Sequence, residues 1–291
     1  MKKPCKFVIV VNATKDTTGA ETLRMVEYLQ GKGCEVALLP EKEKLTDWAD
    51  YTVITEEEAS GWDMAVILGG DGTILSSARR LFKSGIPLFG INLGHLGFLT
   101  ACEKEDAFRV LDRILEGEYR LEDRTMLSGC IRRSSGETVD FCGLNDAAVT
   151  RGYFSRMLAI DVWMNDVFMD RVYADGLVVA TPTGSTGYNL SAGGPIVVPS
   201  GKSLVLTPIC ARSLSMRSIV MAPTDVIAFS VDSGNMGDYP PNLMLTVDGQ
   251  EPYPVAPGER VEIRAAEPVQ LVRTPESDFF DTLRSKLFNE K

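Results

Sequence analysis

The chain has 291 residues, 44% of them hydrophobic and 24% charged, which suffices for one large folded domain or two ordinary ones and argues against a disordered, collagenous or coiled-coil chain. Its formal net charge is −10, so the basic face of a nucleic-acid binder is not expected. An anionic ligand would have to be held by local means: backbone amides, a few arginines or a metal ion.

In chain order, Phe7 to Val11 reads as a buried strand. Thr18 to Gln30 reads as a helix, with Leu23, Val26 and Leu29 on one face and Gly31 and Gly33 as stop signals. Val36 to Leu39 and Met64 to Leu68 are further strands, and the second runs into Gly69-Gly70-Asp71-Gly72-Thr73. A helix from Thr73 to Lys83 follows, then a strand from Ile86 to Ile91, then a helix marked by Phe108, Leu111, Ile114 and Leu115. Strands alternating with helices imply a parallel sheet with crossover helices. Beyond Tyr119 the helical period fades. Leu158, Ile160 and Val162 alternate with Asp161 and Trp163, and Ser134-Ser135-Gly136 and Asn165-Asp166 are hairpin turns. Val226–Val231, Leu243–Val247, Val261–Arg264 and Val269–Val272 are more strands. Ser277 to Phe288 returns to helix, with Ser277 as N-cap and Phe280, Leu283 and Leu287 on a face that needs burial.

The expected organisation is thus a Rossmann-like α/β domain over residues 1–120, an all-β sandwich over 121–274, and a helix over 275–291 returning to the first domain. No apolar run approaches the ~18 residues of a membrane helix, and Asn12 interrupts the first run too early for a signal peptide. The six cysteines show no C-x-x-C spacing and read as reduced thiols. A cytoplasmic protein is expected. The single histidine, His95, excludes a multi-histidine metal site and reads as structural, so a general base is expected to be a carboxylate.

Gly69 to Thr73 sits between a strand end and a helix start, where glycines let the backbone approach a phosphate and helix amides donate to it. It is neither G-x-G-x-x-G nor a Walker A loop. An aspartate inside a phosphate loop makes electrostatic sense if it takes a proton or holds a metal; the plain alternative is an Asx turn with a tight glycine bend. Taken alone, Asn145-Asp146 and Asp175-Gly176 read as turns or caps, Tyr188 and Phe98 as core or interface residues, and Arg79 and Arg80 as a solvated helix face.

Gly69-Gly70-Asp71-Gly72-Thr73 resembles the signature of the superfamily of NAD kinases, 6-phosphofructokinases and diacylglycerol or sphingosine kinases. The segment from Asp175 to Pro195, with Thr181-Pro182-Thr183-Gly184-Ser185-Thr186-Gly187-Tyr188-Asn189 at its centre, resembles the long NAD kinase motif. Asn92 to Thr100, Asn145-Asp146 and Asp248-Gly249-Gln250 are similar to that family as well. The likeness departs at Gly187, where many members have Ala, at Ala211-Arg212, where Pro-His is common, and at Ser218, often Pro; no role is carried onto Arg212.

The resemblance implies ATP-dependent phosphorylation of NAD at the 2′-hydroxyl of its adenosine ribose, with the site between an α/β and a β-sandwich domain. It implies a divalent cation, Mg²⁺ as the expected ion, polyphosphate as a donor in some members, and a homodimer or homotetramer. Mapped by motif, Asp71 would be the catalytic aspartate, and Gly70, Gly72 and Thr73 would shape the phosphate cradle. Asn145 and Asp146 would hold ribose or adenine polar groups, and Asp175 would accept from the nicotinamide carboxamide. Thr183, Thr186, Tyr188 and Ser191 would line the dinucleotide pocket, with Gly72 and Asp71 at its reacting end and Phe98 as an apolar wall. NAD and ATP are the expected partners, with no nucleic acid and no membrane. The rival readings are a lipid or sugar kinase sharing the glycine loop, and a nucleotide-binding sensor without turnover. A lipid kinase would want an apolar or basic membrane face, which the −10 charge opposes.

Overall fold

The computed structural model describes residues 3–40, 48, 50–94, 97–152, 157–213, 216–232, 243–274 and 278–288. His95, Leu96 and Ser277 lie outside them. In chain order the elements are β1 (Lys6–Val10), α1 (Ala20–Gly31), β2 (Glu35–Leu39), β3 (Met64–Leu68), α2 (Asp71–Leu81), β4 (Leu88–Asn92), β5 (Cys102–Glu103) and α3 (Ala107–Leu115). There follow β6 (Arg120–Arg132), β7 (Thr138–Gly143), β8 (Asp146–Arg151), β9 (Leu158–Met164), β10 (Val167–Ala174), β11 (Gly176–Ala180) and α4 (Tyr188–Ser191). The chain continues with β12 (Leu204–Ile209), β13 (Ile219–Met221), β14 (Val226–Val231), β15 (Leu243–Val247), β16 (Glu251–Val255), β17 (Arg260–Arg273) and α5 (Phe279–Leu283). Two compact units result: Met1–Asp123 with Val269–Lys291, and Arg124–Pro268.

The first unit is α/β. Its strands pair in parallel in the order β2-β1-β3-β4, with Leu271 of β17 beside Leu88 and β5 beside the end of β4. The strand cores are buried almost without interruption, as a parallel sheet covered by helices on both faces requires. Phe7, Ile9, Met64, Val66 and Phe89 pack with Leu29 of α1 and Leu111 and Ile114 of α3. Because β1 neighbours both β2 and β3, the strand order reverses there. In such sheets ligands gather at the carboxyl ends of the strands flanking the reversal.

The second unit is a sandwich. One sheet joins β10, β9, β14, β17, β6 and β7; the other is antiparallel throughout, in the order β13-β12-β11-β8-β15-β16. Leu158, Ile160 and Val162 meet Val149, Leu177, Val179 and Leu245 in its core. The Asn165-Asp166 turn has φ of 51° and 63°, the left-handed pair that a two-residue hairpin needs between right-twisted strands.

Three expectations need correction. The helix expected from Thr73 begins at Asp71, which places that carboxylate in the first turn. The strands expected at Val261–Arg264 and Val269–Val272 are one 14-residue strand. Pro268, without an N–H, falls between the ladder to β14 ending at Arg264 and the pairing of Leu271, and its fixed φ suits extended chain. The C-terminal helix is capped by Asp278, whose carboxylate accepts from the Phe280 and Asp281 amides at 2.7 and 3.2 Å. Only Leu283 of the expected stripe is buried, while Phe280 and Leu287 are 53% and 40% exposed. A π turn over Arg284–Phe288 follows α5 and rotates Leu287 off the stripe that a 3.6-residue period would give. No helix among the described residues is long and apolar enough to cross a membrane.

Candidate active site

The glycine loop leaves β3 at the sheet's reversal and enters α2. Its N-cap, Gly70, brings no side chain to the helix start, and a Cβ there would meet nothing within 4 Å, so this side is open. Gly69 serves the opposite purpose: a Cβ there would overlap the Thr73 side chain. Thr73 is buried, and its hydroxyl accepts from Asn12 Nδ2 at 2.9 Å, from the end of β1. Thr73 therefore braces the loop from beneath rather than offering its hydroxyl outward. Gly72 is exposed.

Asp71 is turned toward the Phe98–Thr100 segment. Its Oδ2 accepts from the Phe98 amide at 2.8 Å and its Oδ1 from the Leu99 amide at 3.0 Å. Gly97 makes this approach possible, because a Cβ there would overlap the Asp71 carboxylate. The segment is also gripped from its other side by the buried Arg273, whose Nη1 donates to the Leu99 and Thr100 carbonyls at 3.1 and 2.9 Å and whose Nη2 donates to that of Phe98 at 2.9 Å. The Phe98 ring packs 6.0 Å from that of Phe279, with Lys286 Nζ 5.4 Å above it. Of the two arginines in α2, Arg80 is a structural tie to Glu56 and the Pro40 carbonyl, each at 3.0 Å.

In the second unit, register brings a separate group of the expected residues together. The start of β8 lies antiparallel between the ends of β11 and β15, pairing Asp146 with Ala180 and Ala147 with Val247. Asn145-Asp146, Thr181 and Asp248 thereby reach one sheet edge. Asp248 accepts from the Leu144, Asn145 and Asp146 amides at 3.1, 2.7 and 3.3 Å and so fixes the backbone of that pair. Burial, and then the neighbouring Asp248 charge, push the Asp146 carboxyl up to about 7.

The segment after β11 is braced from within. Thr181 donates to the Leu144 carbonyl at 2.5 Å, Ser185 to those of Pro182 and Val197 at 2.7 and 3.1 Å, and Asn189 to those of Ser185 and Pro195 at 3.1 and 2.9 Å. A Cβ at Gly184 would overlap the Asn145 backbone, which explains a glycine at this close crossing. With these polar groups turned inward, Thr186 is left half-buried and Tyr188 and Ser191 exposed. Thr183 is buried, its hydroxyl accepting from Arg124 Nη1 at 3.4 Å.

Asp175 is not at this edge. It precedes β11, whereas Thr181 follows it, so the two lie ~20 Å apart along an extended chain. Its carboxylate pairs with Arg151 at 3.1 Å. Burial, then the charges of Asp146, Cys210 and Asp175, raise the Tyr188 phenol above its ordinary value. Sequence reasoning missed Arg273, Asn12 and Arg151. Each is an ordinary polar residue at a strand end, with no local pattern to mark it. Among the described residues no cluster of three or more His, Cys, Asp or Glu is placed to hold a metal ion.

Asp71 thus opens a helix that leaves a parallel sheet at its reversal, the place where such sheets gather their ligands. The ATP-NAD kinase N-terminal domain matches residues 7–119, and the ATP-NAD kinase C-terminal domain matches residues 144–274. The chain belongs to the NAD kinase family and is an ATP-dependent phosphotransferase. It is 39% identical to the NAD kinase of Thermoanaerobacter sp. (strain X514), covering 97% of this chain and 98% of that one, and 40% identical to that of Symbiobacterium thermophilum at the same coverage. Among solved structures it is similar to yeast NADH kinase complexed with NADH, with a TM-score of 0.81, 26% identity, and coverage of 100% of this chain and 90% of that one. An NAD kinase from Archaeoglobus fulgidus in complex with ATP gives a TM-score of 0.70 at 25% identity, covering 96% and 98%. The α/β-plus-sandwich architecture read from the sequence is the one these relatives share.

Proposed function

We propose that Asp71 is the general base in phosphoryl transfer from ATP to the 2′-hydroxyl of the adenosine ribose of NAD. The ribose oxygen bonds to the γ-phosphorus, the bond from that phosphorus to the β–γ bridging oxygen breaks, the hydroxyl proton passes to Asp71, and ADP leaves with NADP. The observation that carries this reading is the double amide grip on Asp71. A carboxylate has about four acceptor positions. Two are taken by the Phe98 and Leu99 amides, which leaves acceptor capacity on a side chain already fixed in orientation. Gly70 puts no side chain at the start of α2, where a transferring phosphoryl group gains from backbone donors.

For the dinucleotide, Asn145 and Asp146 are the ribose and adenine contacts, Thr183 and Thr186 support that end, and Tyr188 and Ser191 lie along its course. Asp175 accepts from the nicotinamide carboxamide. Tyr188 supports this path, since its phenol feels the charges of both Asp146 and Asp175. Phe98 is the apolar wall near Asp71, backed by Phe279. A divalent cation would come with ATP, taking phosphate oxygens and water as most of its ligands, and would neutralise charge on the transferring group.

The enzyme works as a homodimer or homotetramer in the cytoplasm. The edge strand β10 supports self-association, because it exposes Val167 and Phe168 at 69% and 55% and, among the described residues, pairs with β9 alone. The test of the function is a coupled assay: protein, ATP, Mg²⁺ and NAD, with NADP read by an NADP-specific dehydrogenase. NADP formation is expected; intact NAD binding without NADP would leave the sensor reading in place. The same assay with NADH and with polyphosphate ranks acceptors and donors.

A further inference from the structure

We propose that Arg273 is a positioning residue for Asp71, acting through the peptide group between Phe98 and Leu99. This rests on Asp71 being the base. That peptide is held at both ends: its carbonyl, on Phe98, accepts from Arg273 Nη2 at 2.9 Å, and its N–H, on Leu99, donates to Asp71 Oδ1 at 3.0 Å. A guanidinium and a carboxylate are thus joined through a single amide. A cation on the carbonyl polarises the amide and strengthens its N–H as a donor. The next peptide carbonyls, on Leu99 and Thr100, are taken by Nη1 of the same arginine.

The arrangement accounts for an otherwise costly feature. Arg273 is only 4% exposed, and a buried guanidinium is tolerated where its donors are used. Three consecutive carbonyls use them, and Nε faces Glu122 at 3.5 Å. The segment from Gly97 to Ala101 belongs to no helix or strand, so its backbone groups depend on partners outside regular structure, Arg273 and Asp71 among them. Lysine could not reproduce the arginine's contacts, because it presents a point charge where arginine presents a planar fork.

A double-mutant cycle on the full-length enzyme tests this, with kcat and the KM values for NAD and ATP measured for Arg273→Lys, Arg273→Met, Asp71→Asn and the combination Asp71→Asn with Arg273→Lys. Arg273→Lys is expected to lower kcat about tenfold and Arg273→Met about a hundredfold, with both KM values within about twofold. In the Asp71→Asn background, Arg273→Lys is expected to change kcat by less than about twofold, because its effect passes through Asp71. Should Arg273→Met fail to fold, the lysine variant and its cycle carry the test. If Asp71→Asn cripples kcat while the Arg273→Lys loss multiplies with it, or falls on KM alone, Arg273 is a structural residue and the base assignment survives. If Asp71→Asn leaves kcat near wild type, the base assignment falls, and the positioning role with it.

Discussion

The Asp146 carboxyl sits where burial and Asp248 both oppose its ionisation, and it titrates at about 7 instead of in the ordinary carboxylate range. Between that ordinary range and about pH 7 the folded chain keeps a proton that the unfolded chain has released. Stability from this group is therefore greatest in acid, falls as pH rises through that window, and levels off above it. Urea unfolding at pH 5, 6, 7 and 8 should show a decline on the order of a few kcal/mol, and Asp146→Asn should flatten it. Parallel curves for the two proteins would mean that Asp146 ionises normally. Asp175 belongs to a different regime. Its pair with Arg151 is partly solvated, so Asp175→Ala should cost less than about 1 kcal/mol of stability. It should raise the KM for NAD and leave kcat nearly unchanged; an unaltered KM would remove Asp175 from the dinucleotide path.

Among the structural elements, the loops are specified by close approaches more than by turn chemistry. At Gly97, a methyl group would occupy the space of the Asp71 carboxylate. Asp71 could swing aside, but only by releasing the Phe98 and Leu99 amides. Gly97→Ala should consequently keep the fold, as read by circular dichroism and thermal melting, and lose roughly a hundredfold in kcat. Activity near wild type would show that the grip on Asp71 is dispensable. Most elements could be read from local pattern: the apolar runs of β1, β2 and β3 and the alternation in β9 announce buried and half-buried strands. The start of α2 could not, because glycines at the first turn mask helix signals that packing and an open N-terminus override. The continuity of β17 was hidden too, since Pro268 punctuates a sequence locally even where the chain stays extended.

For the whole molecule, the exposed apolar pair on β10 carries its own prediction. Phe168→Asp, alone or with Val167→Lys, should shift the protein toward monomer in size-exclusion chromatography with light scattering. An unchanged mass would place the contact elsewhere. The sequence by itself determined the two-part architecture and the family, because hydrophobic period and a long contiguous motif are local properties of the chain. Its motifs also pointed to Asp71, Asn145, Asp146 and the Thr181–Asn189 segment as the proposed site, though not to how they are held. Only the tertiary structure decided that Asp248 fixes the Asn145-Asp146 backbone, that Asp175 sits at the far end of β11, and that Arg273 reaches Phe98, Leu99 and Thr100. The Asp248 and Arg273 pairings join residues about a hundred or more positions apart, and strand register and burial select them where no short-range pattern can.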